Sequence, residues 1–268
     1  MKALILSTVV FACLAQSAAA MDSDDMKALK ENGECVDCNL QGAKLQAATM
    51  EGADLEGANL RDAILKNAVL KGANLEGADL RRADLEKSNL SNSSLQEATL
   101  RDTDLEKAIL SNSNLAEADL RDADLENAEC NGCEFEDADL RNSNLKRGLF
   151  IDANFQGAQL SKANLKRATA NNANFRDTKM KNVRMTRADL KNTDFSGADL
   201  SRSNFFRADL TGSLFEDANL EEAIFWGSNL SGADLSEADN LDEEQLENAC
   251  GDNKTLLPDD LKIPDCSS

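Results

Sequence analysis

The chain has 268 residues and carries 29 Lys and Arg against 49 Asp and Glu, for a formal charge of -20, with no His and no Tyr. Without His, catalytic triads, His-ligated metals and imidazole acid–base pairs are excluded. The acidic balance disfavours general nucleic-acid or anionic-membrane binding, because phosphate attraction has the wrong sign. Apolar content that is almost all Leu and Ala argues against a conventional globular core.

Residues 1–20, "MKALILSTVVFACLAQSAAA", combine Lys2, an apolar run from Ala3 to about Leu14 and the small end Ala18-Ala19-Ala20. They read as a secretory signal cut before Met21, which predicts a periplasmic or extracellular protein, or a thylakoid-lumenal one in a photosynthetic source. The apolar run is too short for a spanning helix, so no transmembrane segment is expected. A lipoprotein acylated at Cys13 competes less well, since bulky Phe11 lies two places before it. Residues 21–37 form an N-terminal cap, with a short helix predicted from about Asp24 to Glu31.

From 38 to 238 the chain repeats every five residues, a period that neither an α-helix near 3.6 nor a strand at 2 explains. Central residues at 40, 45, 50 and onward to 235 are Leu, Phe or Met, except Cys130 and Ala170. Two places earlier stands Ala, Ser or Thr, apart from Cys38, Cys133, Gly148 and Val183. Both positions must point inward. Asp or Asn usually precedes the centre, and charged residues, Gly, Asn or Ser follow it, residues that tolerate corners. Such a chain buries a continuous narrow core by coiling, each turn stacked on the last.

Residues 239–268 read as a C-terminal helical cap and tail, with a helix from about Leu241 to Ala249, acids Asp242 to Glu244 in its first turn and Gly251 near its stop. Exposed ends of stacked coils invite end-to-end pairing, so both flanks are read as covers.

"GADLEGANL" and its relatives, A(D/N)LxG in form, resemble the pentapeptide-repeat proteins over residues 38–238. The resemblance implies an all-β fold: a right-handed quadrilateral parallel β-helix with four pentapeptides per coil. That gives about ten coils and a rod about 48 Å long at ~4.8 Å per stacked strand. The C-terminal segment also resembles the terminal extension of exported bacterial members.

Six cysteines remain after the signal, in the pairs Cys35/Cys38, Cys130/Cys133 and Cys250/Cys266. An even count in an exported chain suggests disulfides. Cys250 with Cys266 would pin the tail to the cap, whereas Cys130 and Cys133 both take inward positions and read as a disulfide or as free core thiols. A zinc shared by the two C-x-x-C pairs is excluded by ~22 Å of axial separation. No cofactor is expected.

A period of twenty sorts the chain into four faces. The face centred on Leu55 through Leu235 includes Asp54, Glu56, Glu134, Glu136, Asp137, Glu216 and Asp217, and its outward positions sum to -13. Inside it, Phe135, Phe155, Phe175, Phe195 and Phe215 are expected to stack. The face centred on Leu40 and Leu60 stacks Arg61, Arg81, Arg101, Arg121 and Arg141, with Asp62, Asp102 and Asp122 as expected partners. Opposite the acidic face lie Lys146, Arg147, Lys166, Arg167, Arg184, Arg187 and Arg207, beside Phe206 and Trp226. These nine residues are the candidate binding site.

The expected function is non-enzymatic: an extracytoplasmic structural or interaction rod whose partner is an anionic protein or polysaccharide, with no nucleic acid expected. A convex rod offers no desolvated pocket to shift a carboxylate and position a substrate. The alternative, implied by the family resemblance, is a DNA-mimicking topoisomerase-binding protein acting through the acidic face. Export counts against it.

Overall fold

Each five-residue unit builds one side and one corner. In Leu40-Gln41-Gly42-Ala43 the Ala43 amide donates to the Leu40 carbonyl at 3.0 Å, and Gly42 has φ of 66°. A positive φ at the third residue of such a turn is the type II pattern. The second residue after every centre from Gly42 to Gly232 adopts it, and many of these are not Gly, Asn or Asp: Ala47, Arg82, Lys107, Glu117 and Arg187 lie between 55° and 59°. This departs from the sequence expectation, which reserved corners for residues that tolerate them. A left-handed residue with a Cβ costs ~1–2 kcal/mol, and the surrounding hydrogen bonds must offset it at corner after corner.

Asp and Asn stand at many corners, and they serve a second purpose three places earlier, just before the centre. The Asp54 carboxylate accepts from the Glu56 amide at 3.3 Å, Asn74 from Glu76 at 3.2 Å and Asp84 from Glu86 at 3.0 Å. The side chain thus satisfies the backbone N–H in the unit that neither reaches a neighbouring coil nor closes the turn.

The structure is a computed structural model and describes residues 23–266; the signal read at 1–20, with Cys13, lies outside the described residues. Parallel bridges join residue i to i+20, from Glu34 with Asp54 through Asn219 with Asp239. Four five-residue sides therefore close one coil of a parallel β-helix. The Leu55 amide donates to Asn74 at 2.7 Å, the Asn74 amide to Ala53 at 2.9 Å and the Gly57 amide to Glu76 at 2.8 Å, so each side is tied upward, downward and upward again. Only one residue per side bridges, because the turn occupies the rest.

Both inward positions are buried: Leu55, Leu60 and Leu65 have no exposed surface, and Ala58 and Ala68 none. The predicted aromatic stack is present. Phe135, Phe155 and Phe175 have ring centroids 4.6 Å apart at 4° between planes, and Phe195 and Phe215 continue at 5.4 and 5.3 Å.

The exceptions to the pattern compensate one another. In the column of Cys130, Phe150 and Ala170, a large ring lies between two small residues, all fully buried. Gly148 has no positive φ; a Cβ there would meet the Phe150 ring at 2.5 and 2.8 Å. Close packing accounts for both irregularities.

At the N-terminal end, helix α1 (Ser23–Asn32) buries Leu29, and Asp25 accepts from the Asn39 amide at 2.8 Å. At the other end the helix is shorter than expected. Helix α2 spans Glu243–Leu246, with Asp242 as its N-cap in a capping box with Gln245. Gln245 Nε2 donates to the carbonyls of Leu220 and Ala223 at 2.8 and 2.9 Å, so the chain turns to satisfy open ends of the last coil and does not extend the helix. Past α2 the stacking resumes out of step: Asn229 bridges Cys250, Asp234 bridges Leu256 and Gly251 bridges Asp265.

The arginine stack is correct, but most of its partners differ from those expected. Arg81 pairs with Asp79, Arg121 with Asp119 at 2.8 Å, Arg101 with Asp119 and Arg141 with Asp139, while only Arg61 reaches its neighbour Asp62, at 3.8 Å. Residues before and after a centre project from the same side, whereas Asp102 and Asp122 sit at left-handed corners and point away.

A further ion group forms where Glu86 meets Lys66 of the coil below and its own neighbour Lys87. Hydrogen bonds from these ammonium groups hold the Glu86 carboxyl down at about 2.

Three outcomes test this architecture. Leu120→Asp is expected to lower stability by several kcal/mol, since it places a carboxylate in a dry core; Glu117→Gln on the surface is expected to leave the urea midpoint nearly unchanged. Gly148→Ala is expected to cost about 1–3 kcal/mol by overpacking, and Phe150→Leu in the same chain to recover most of it, as read by denaturant unfolding. Because the folded-state value of Glu86 lies below its ordinary one, its contribution is present above pH 4.5 and disappears as pH falls toward 2. The unfolding midpoints of wild type and Glu86→Gln are therefore expected to differ at pH 6 and converge as pH approaches 2.

Candidate functional site

The face carrying the nine candidate residues is built by the bridges Asn144 with Asn164, Asn164 with Arg184, Arg184 with Asn204 and Asn204 with Ile224. The stacking brings the residues together as one stripe. Arg147, Lys166, Arg167, Arg184, Arg187, Arg207 and Trp226 are exposed; Lys146 and Phe206 are half-buried.

Their electrostatic states differ. Lys146 Nζ lies 2.7 Å from Glu126 Oε1, and Arg147 Nη1 lies 3.3 Å from the same oxygen. These two cations belong to an ion cluster that also holds the Glu126 carboxyl below its usual range. Among the described residues, Lys166, Arg167, Arg184, Arg187 and Arg207 form no ion pair, so their charge is available to a partner.

The aromatic end has a defined geometry. The Arg207 guanidinium carbon lies 5.1 Å from the Phe206 ring centroid, a cation–π contact. Phe206 meets Trp226 edge-on at 5.9 Å and 87°. The half-burial of Phe206 corrects the expectation of two exposed aromatics: the Trp226 indole meets it edge-on and the Arg207 guanidinium lies over it, and Trp226, 60% exposed, is the more exposed of the two.

Sequence reasoning missed two features here. Ile224, 46% exposed, stands beside Trp226 where Asp or Asn is usual, and that break in the repeat was the available signal. Ile224 and Trp226 also border a cleft of about 350 Å³ closed by Glu222 and, from the α2 region, Asp242, Glu244, Gln245 and Asn248. No pattern in the repeat announces it, because the C-terminal segment forms its far wall.

The cysteines lie away from this stripe in the three anticipated pairs, with Cα separations of 5.2 Å for Cys35/Cys38, 5.3 Å for Cys130/Cys133 and 4.8 Å for Cys250/Cys266. Cys130 and Cys133 are fully buried and Cys266 is exposed. Among the described residues, no group of three or more His, Cys, Asp or Glu is placed to hold a metal ion. No described helix is long and apolar enough to cross a membrane.

Comparison with known proteins bears on most of the chain. HetL of the cyanobacterium Nostoc sp. strain PCC 7120, a pentapeptide repeat protein involved in heterocyst differentiation regulation, is 29% identical; the match covers 81% of this chain and 96% of that one, with a TM-score of 0.48. QnrB1, a plasmid-mediated fluoroquinolone resistance protein, is 21% identical over 66% of this chain and 88% of its own, with a TM-score of 0.45. A pentapeptide repeat protein of the Arabidopsis thaliana thylakoid lumen is 30% identical over 43% of this chain and 79% of its own, with a TM-score of 0.27. No curated protein matches. Family models described as pentapeptide repeats match residues 38–77, 73–112, 118–148 and 213–249, and one described as a pentapeptide repeat region matches 149–225. With more than half of its length matched and a bridge at every fifth residue, this chain belongs to the pentapeptide-repeat family.

Proposed function

We propose that the protein is a non-enzymatic interaction rod working outside the cytoplasm, and that its stripe of Lys146, Arg147, Lys166, Arg167, Arg184, Arg187, Arg207, Phe206 and Trp226 docks an anionic protein or polysaccharide. The observation that carries this reading is the set of unpaired cations beside an exposed Trp, on a chain of charge -20 and opposite a face summing to -13. Unpaired surface cations raise the association rate of an anionic partner and orient it, while Trp and Arg supply desolvated anchors. The acidic face on the far side repels the same partner and leaves one docking orientation.

The rest of the chain fits a rigid support. In this reading the coil is right-handed, runs for about ten turns, and is closed by α1 below and the α2 segment above. Removal of residues 1–20 delivers it to the periplasm, the extracellular space or a thylakoid lumen, where the three cysteine pairs oxidise to disulfides. The acidic face also supports a second reading, in which the rod imitates DNA toward a topoisomerase. The export signal favours the first.

Trp226 is the chain's single tryptophan, so its fluorescence reports on the stripe alone. Titration with alginate and with poly-glutamate at 50 mM salt is expected to shift the emission saturably, to weaken at 500 mM salt, and to lose at least tenfold in affinity in an Arg184→Glu/Arg187→Glu variant. An unchanged affinity in that variant would remove the stripe from the account and leave only the fold. Recovery of the mature protein beginning at Met21 tests export; an unprocessed N-terminus in a cytoplasmic fraction contradicts it.

A further inference from the structure

The basic stripe is the upper half of a face whose lower half is acidic. Below Lys146 the same side carries Asp124 and Glu126, then Asp104 and Glu106 with Lys107 at the corner, then Asp84 and Glu86 with Lys87 at the corner. Asp84, Asp104 and Asp124 stack at successive coils, and none forms an ion pair among the described residues. Burial raises the Asp104 carboxyl, and the charges of Asp84 and Asp124 add to the rise. One face therefore holds a column of carboxylates lacking cations and a run of cations lacking carboxylates.

We propose that this face is the contact between two copies of the chain, packed antiparallel about a two-fold axis through the coil of Asn144. The proposal rests on the reading of the basic stripe as a docking surface and names its anionic partner as the acidic half of a second copy. A two-fold axis lying across the face sets each residue opposite the one an equal number of coils beyond the axis. One coil out, Glu126 meets Lys166 of the second copy. Two coils out, Asp104 meets Arg184. Four coils out, Ile64 meets Ile224 and Lys66 meets Trp226, pairing the apolar residue at each end and placing an ammonium over the indole.

In this register Asp104 and Glu126 gain cations and the two isoleucines meet, while one and three coils out Asp124 and Asp84 face Asn164 and Asn204, and Glu86, already paired with Lys66 and Lys87, lies opposite Phe206. Ile64 and Ile224 both occupy the position that on this face more often carries Asp or Asn, and Arg184 also replaces them there. Lys146 faces its own copy, but Glu126 already neutralises it on each side at 2.7 Å. Lys107 and Arg187, and likewise Lys87 and Arg207, which would face each other, sit at left-handed corners on the edge of the side, where water screens them. The two -13 faces point outward, as far apart as the rods allow. The contact spans eight coil steps, roughly 38 Å, and its charged pairs make it sensitive to salt.

Sedimentation equilibrium of the mature chain from micromolar to several hundred micromolar tests the proposal. At 20 mM salt a monomer–dimer equilibrium is expected, weakening at least tenfold at 500 mM. Asp104→Arg alone and Arg184→Asp alone are each expected to weaken it at least tenfold, with circular dichroism and melting temperature confirming that both fold. The two changes in one chain regenerate the opposed pair with its signs exchanged, and dimerisation is expected to recover. A monomer at 20 mM salt throughout the range, or failure of the double variant to recover, overturns the dimer. If the chain is monomeric while alginate or poly-glutamate still binds in an Arg184- and Arg187-dependent way, the dimer falls and the docking stripe stands. If charge reversal alters neither self-association nor binding of those polyanions, both fall.

Discussion

The structure depends on one constraint: backbone groups on each side must meet those twenty residues away. A single side offers one bridging residue and three hydrogen bonds to its neighbours, too little to persist alone. Stacked, each coil is held from above and below, and the core inside is continuous. An unpaired buried amide costs about as much as a lost hydrogen bond, so the unit accounts for each of its own. One amide goes up, one goes down, one goes up at the corner and one closes the turn, and where Asp or Asn precedes the centre the remaining one finds its side-chain oxygen.

This requirement explains why the chain tolerates Lys, Arg and Glu in a left-handed conformation. The corner amide must point at the next coil, and only the positive φ aims it there, as at Lys107, whose amide donates to Glu126 at 3.0 Å. The same regularity governs packing. Since residues twenty apart share a column, Phe stacks on Phe along one column, whereas Phe150, alone in its own, is flanked by the smaller Cys130 and Ala170 and by Gly148 at the preceding small position.

The five-residue period made the inward positions, the faces and the Phe stack legible before any coordinate, because one large and one small apolar residue in five have only one way to share a core. Arg81 and Asp79 were not legible as partners: both follow from the projection of side chains off a flat side, which a list of neighbours along the chain does not show. Nor was α2 at its true length, since Gln245 is drawn to carbonyls of Leu220 and Ala223 more than twenty residues away. At the candidate site the cations and Trp226 could be placed from their spacing alone. The pairing of Lys146 with Glu126 required knowing how far each side chain reaches, and the cleft beside Ile224 required the folded tail.

Function then follows from register. If twenty residues advance the chain by one level, Arg184 stands above Lys166 and below Arg207, and the charges that lie scattered in sequence become a stripe with an aromatic end and an acidic half beneath it. The most direct measurement is the spacing itself. Spin labels attached through unnatural amino acids, leaving the cysteines untouched, at 107 with 187 and at 87 with 207, read by double electron–electron resonance in dilute protein at high salt, are predicted to differ in separation by two coil steps, roughly 10 Å. Equal separations for the two pairs, or broad distributions without a defined distance, would contradict the twenty-residue coil and every assignment of faces built on it.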